Sequence, residues 1–150
     1  MSHSLSEEKI LLRELAVRLE TVTCHFNDYC HLMELGAAAA RAGNDEKALS
    51  YREQEQSLIA QITAGQKAVR ELEDRLSTLD SRSHALDKKK AVSEDRRQRA
   101  LFLNQTFSTI LRERLRLVRD EIRTVGHTLR ALPGGKDQSA AEPMFIDIST

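Results

Sequence analysis

Tryptophan is absent from this 150-residue chain, and only 4% of its residues are aromatic. A compact globular core normally wants more bulk than that. Proline occurs twice and glycine six times, too rarely for a loop-rich or strand-and-turn architecture. Two cysteines, Cys24 and Cys30, cannot make the disulfide framework of a small secreted domain. Six residues apart on one predicted helix, they point about 240° away from each other. No apolar run approaches the ~18–20 residues that span a bilayer. The first eight residues lack the apolar core and basic flank of a signal peptide. The expected location is the cytoplasm, with no stable membrane insertion. Excess charge of one sign is missing too. Lys+Arg and Asp+Glu both number 23, so no global field draws the chain to nucleic acid or an anionic membrane.

What is present is Ala, Leu, Glu, Arg and Gln in a 3–4 rhythm, the composition of long helices. Leu5, Leu12, Leu15, Leu19, Val22, Phe26, Tyr29, Met33, Gly36 and Ala40 mark the first helix, over about 5–42. Ser4-x-x-Glu7 reads as its capping box. Its bulky seam ends in Gly36 and the Ala37–Ala40 run, which permits either close helix approach or an open groove. Gly43-Asn44-Asp45 then breaks the helix, Gly suiting the left-handed position and Asn44 or Asp45 the next cap. Ala48, Tyr51, Leu58, Ile62, Gly65, Val69, Leu72, Leu76 and Leu79 carry the second helix, with Glu55 the odd member of the series. A link this short makes the two helices antiparallel neighbours.

The region 81–95 is polar but contains neither Gly nor Pro. A partner matching the first helix in length would run to the late 80s, which predicts a second helix over 45–88 and a turn near 88–94, with Ser93 as a candidate cap. The third helix, over 94–132, carries two seams. Phe107, Leu111, Leu115, Val118, Ile122, Val125, Leu129 and Leu132 form the main one, and Leu103, Ile110 and Leu117 run beside it at steps of seven. Two apolar seams on one helix imply more than one neighbour. Its C-terminal end is expected level with Gly36–Ala40. Pro133-Gly134-Gly135 stops the helix. The segment 133–150 reads as a flexible tail with a short apolar motif, Phe145, Ile146 and Ile148. The expected fold is therefore all-α: an elongated antiparallel three-helix bundle over 1–132, followed by that tail.

Charge is sorted along the chain. Residues 1–79 hold 9 basic and 13 acidic side chains, and residues 88–123 hold 11 basic and 5 acidic. Packing the two regions together lets the signs complement each other. Lys88-Lys89-Lys90 and Arg96-Arg97-Arg99 lack the interleaved aromatics of a nucleic-acid surface and read as a solvated turn. Cys24, Asp28, His31 and Glu34 share a stripe with an echo of helical metal-ligand spacing. The matching sets on other helices that a metal bundle needs are missing, so a solvated face is expected. Ile10, Val17, Cys24, His31 and Ala38 recur every seven residues and read as ordinary surface. No nucleophile–base pattern and no phosphate-binding loop is found. Neither enzyme activity nor a cofactor is expected.

Leu103-Asn104-Gln105 followed by Ile110-Leu111 resembles the Leu-Asn-x-x-Asn-x-x-Leu-Leu pattern in the last helix of the FlgN family, the flagellar type III export chaperones. Phe107 stands where that family's second Asn falls. The order of elements, from the long first helix through its Ala/Gly-rich end to a last helix and tail, is similar as well. The resemblance implies a cytoplasmic chaperone that binds the C-terminal helical region of hook–filament junction (hook-associated) proteins and delivers them to the export gate. The residues nominated for cargo are Leu103, Phe107, Ile110, Leu111 and Leu117. Phe145, Ile146 and Ile148 are nominated for the gate, Phe145 standing for the tail aromatic of some members. For that tail motif two readings stand, docking on a partner or folding back on the bundle. The chain alone is expected as a monomer or weak homodimer. The rival from another class is a structural coiled-coil adaptor that self-associates through its extra seam.

Overall fold

A computed structural model describes residues 2–78 and 84–131 and is all-α. Among the described residues there are three helices, α1 (Ser2–Arg41), α2 (Asp45–Ser77) and α3 (His84–Arg130), running up, down and up as a bundle. α1 is the axis. Both α2 and α3 pack along its length, while they scarcely approach each other. The order of burial follows. Leu15, Leu19, Val22, Phe26, Tyr29 and Met33 are buried as the rhythm predicts, but so are Leu11, Cys30, Leu32, Ala37 and Ala39, which belong to a second side of the same helix. Two neighbours bury two faces. The helix with two neighbours is thus α1, and not α3 as its two seams implied.

The first turn is built as its residues require. Gly43 has φ 78°, inside the left-handed region where a Cβ is costly. Its N–H donates to the Ala40 carbonyl at 3.0 Å and that of Asn44 to the Ala39 carbonyl at 2.9 Å, which caps the end of α1. Asn44 Oδ1 accepts from the Lys47 N–H at 3.2 Å and opens α2. At the other end of α1 helix already exists at Ser2, so Ser4 is not its cap.

The second turn differs from expectation. α2 ends at Ser77 and α3 begins at His84, not near 88–94. Ser77 Oγ donates to the Asp74 carbonyl and Thr78 Oγ1 to the Arg75 carbonyl, both at 2.7 Å, which takes up carbonyls that continued helix would leave in the ladder. Ser93 therefore lies buried inside α3 rather than at a cap. α2 is shorter than α1, since nothing obliges neighbouring helices to match in length.

Large meets small where α1 ends. Phe107 is fully buried, and a Cβ built on Gly36 would lie 2.5 Å from its ring. Gly36 and the alanines thus serve close approach rather than an open groove. A Cβ on Gly65 would meet Val22 at 2.7 Å, so α2 also comes close to α1 at mid-bundle. Phe107, not the 125–132 stretch, is level with Gly36. That register sends the rest of α3 past the end of the bundle.

Candidate partner-binding surface

The register can be read from cross-helix pairs. Glu34 accepts from Arg99 at 2.9 Å, and Glu20 pairs with Lys89. Asp45, in the first turn of α2, pairs with Arg114 through two hydrogen bonds of 3.0 Å. Arg114 holds the Asp45 carboxyl below its ordinary range, and Asp45 raises the Arg114 guanidinium. The α1–α2 turn is therefore level with Arg114, and residues 116–130 extend beyond it by about 22 Å at 1.5 Å per residue. Past the half-buried Val118 and Arg119, every residue of that extension but Gly126 is exposed.

Along that extension the core-facing seam continues without a neighbour. Leu115 and Val118 are half-buried at its base. Ile122, Val125 and Leu129 are then 42%, 56% and 46% exposed. Their spacing keeps them on the side of α3 that carries Phe107 and Leu111 further down, so the stripe prolongs the surface on which α1 lies. A helix laid there would continue the line of α1. Gly126 has open space on its Cβ side, which leaves the backbone accessible to such a neighbour.

The five residues nominated for cargo divide. Phe107 and Leu111 are core, reachable only by displacing α1 or α2. Leu103 and Ile110 are half-buried against the core, and Leu117 alone is exposed, beside the distal stripe. Phe145, Ile146 and Ile148 lie outside the described residues.

Sequence reasoning missed the polar centre of the bundle. Arg52 and Glu55, both buried, reach from α2 across the gap. Arg52 Nη1 donates to Asn104 Oδ1 at 3.0 Å and lies 3.7 Å from Met33 Sδ, and Nη2 donates to Ser108 Oγ at 3.0 Å. Its guanidinium carbon sits 5.3 Å from the centre of the Phe107 ring. The Tyr29 hydroxyl donates to Glu55 Oε1 at 2.8 Å. Glu55 Oε2 is 2.9 Å from Arg52 Nη1, an ion pair off the hydrogen-bond direction. Burial pushes the Glu55 carboxyl up, against the pull of Tyr29 and Arg52, and burial likewise raises the Tyr29 phenol. This network joins all three helices at one level and lets only one registration satisfy its members. The available signal was Glu55 in an apolar series, with Arg52 three residues before it on the same face.

Beyond the network, toward the α2–α3 turn, the gap opens into a cleft of about 240 Å³. Leu19, Val22 and Phe26 form its floor, with Val69 and Arg70 on one wall and Ser93 and Arg97 on the other. Lys90, which also lines it, pairs with Glu73 at 2.8 Å. Room for one or two side chains is too little for a helix.

Lys89, Lys90, Arg97 and Arg99 all pair with carboxylates, three of them on α1 or α2, as the sorting of charge implies. They stand in the first turns of α3 and not in a connecting turn. Cys24, Asp28 and His31 are exposed on α1, with Ile10 and Val17 on the same outer line. Among the described residues no group of three His, Cys, Asp or Glu is arranged to hold a metal. No described helix is long and apolar enough to cross a membrane. No protein-family model, curated protein or solved structure matches the chain.

Proposed function

We propose that this protein is a helix-binding export chaperone that holds a client's amphipathic helix against the distal part of α3, in line with α1. The observation that supports it most is the seam of α3, which runs on through Ile122, Val125 and Leu129 after α1 has turned away. A client helix seated there removes two apolar faces from water at once, its own and that of α3. The resemblance to the FlgN family supplies the client: the C-terminal helical region of hook–filament junction proteins, bound in the cytoplasm and delivered to the flagellar export gate. In that reading Phe145, Ile146 and Ile148 make the contact with the gate. Leu117, and the half-buried Ile110 and Leu103, border the client rather than anchor it, and Phe107 and Leu111 support the surface from within.

The buried Arg52–Glu55–Asn104 network suits this role, because a rigid lower bundle holds α3 while its free end does the binding. Calorimetry of the full chain with a junction protein's C-terminal region tests the proposal. Ile122→Ser with Val125→Ser should weaken binding at least about tenfold, the loss expected when central apolar anchors go. The thermal melt should stay unchanged. Undiminished affinity overturns the stripe as the client site. A concentration-dependent dimer that disappears in the same variant would make a second copy of the chain its occupant instead.

A further inference from the structure

We infer that the distal stripe of α3 is covered, in the protein without client, by residues 144–148 of the same chain. The inference rests on the stripe being the client site, and it concerns how that site is regulated.

Three observations carry it. The first is reach. Eleven residues, 133–143, join the end of the helix to Met144, and a chain of that length spans up to about 36–40 Å. From Leu129 back to Leu115 the stripe measures about 21 Å along the helix. Met144, Phe145, Ile146 and Ile148 can therefore reach every part of it. The second is charge. Residues 112–130 hold six arginines against three carboxylates, whereas residues 136–147 hold three carboxylates, Asp137, Glu142 and Asp147, against Lys136. A segment of opposite sign is favoured on that surface, and a second copy of the arginine-rich stripe is not. The third is the tether. Residues 144–148 are joined to the stripe by the chain itself, whereas any other occupant must come from solution. A tethered occupant needs far less contact area, since its local concentration is already high.

The consequence is a coupling. The apolar residues of the tail hide the stripe when no client is present, and a client helix displaces them. Phe145, Ile146 and Ile148 are then released together. A tail that contacts the export gate would do so only from a loaded chaperone.

Cross-linking of the full chain tests this without any client. In a Cys24→Ser background, Ile122→Cys is paired with Ile146→Cys, and Thr124→Cys with Ile146→Cys serves as the control from another side of α3. Cys30 stays, being buried. At micromolar concentration under mild oxidation the Ile122 variant should form an intramolecular disulfide about tenfold faster than the Thr124 variant, a contrast that the tether alone cannot create. Equal rates from both positions overturn the inference, and so does a disulfide that is mainly between chains. Adding a junction protein's C-terminal region should slow the Ile122 reaction. A fast Ile122 reaction untouched by that addition leaves the tail as occupant and counts against the client reading alone, so the two failures are distinguishable.

Discussion

α3 contains two regions built to one pattern with opposite fates. From Leu86 to Leu111 its seam is buried against α1, and from Ile122 to Leu129 the same seam is exposed. The spacing keeps both on one side of the helix, and the exposed stretch lacks the Ser93, Ala100 and Asn104 that interrupt the buried one. What changes is the neighbour, since Gly43 turns α1 back at the level of Arg114. An apolar heptad therefore reports a face that wants a partner, and the partner need not be in the same fold.

The contrast is sharpest in paired truncations. Phe107→Ala should cost about 3–5 kcal/mol by chemical denaturation, because it empties a fully buried site against Gly36. Ile122→Ala, on the same seam, should change the stability of the bundle by less than about 0.5 kcal/mol, because it lies outside the helical core. Comparable losses from both would mean that the distal stripe belongs to the core.

Next in size is the network that anchors the lower region. Arg52→Met leaves Glu55 buried without its cation and should cost about 3 kcal/mol or more, measured by urea unfolding at neutral pH. Adding Glu55→Gln to that variant should recover part of the loss, as the amide still accepts from Tyr29 without carrying charge.

Gly36→Ala acts in the other direction, by overfilling. Its Cβ would meet three ring atoms of Phe107 within 3.0 Å, and a loss of about 1–3 kcal/mol is expected from such overpacking. The melt of that variant should recover when Phe107→Leu is added.

The pH response of the two regions separates them as well. Burial raises the Glu55 carboxyl above its unfolded value, so the folded chain holds that proton more tightly. Stability should then fall as pH rises from the ordinary carboxylate range through the raised Glu55 value. Glu55→Gln removes that slope. Asp45 has the opposite sign: its depressed carboxyl stabilises above the unfolded value and loses the contribution as pH falls through the folded one. The Asp45 effect should be the smaller and should shrink with added salt, because the pair with Arg114 is open to solvent. An Asp45→Asn variant whose melt shifts as far as that of Arg52→Met would show that the turn, not the network, secures α3.

Much of the lower bundle was legible in the chain. The 3–4 rhythm determined helices and their inward faces, because apolar residues at that spacing can only be buried together on a helix. Gly43-Asn44 determined the first turn through backbone conformation and a side-chain cap. The second turn had a signal in Ser77 and Thr78, whose hydroxyls donate to carbonyls of the last turn of α2. Only the tertiary structure decided that α1 is the shared axis and that α3 overruns it, because periodicity records that a face is apolar and not which helix lies against it. It also decided that Arg52, Asn104 and Ser108 meet. Those contacts join α2 and α3 across 52 and 56 positions of sequence, and their register depends on how closely Phe107 can approach Gly36.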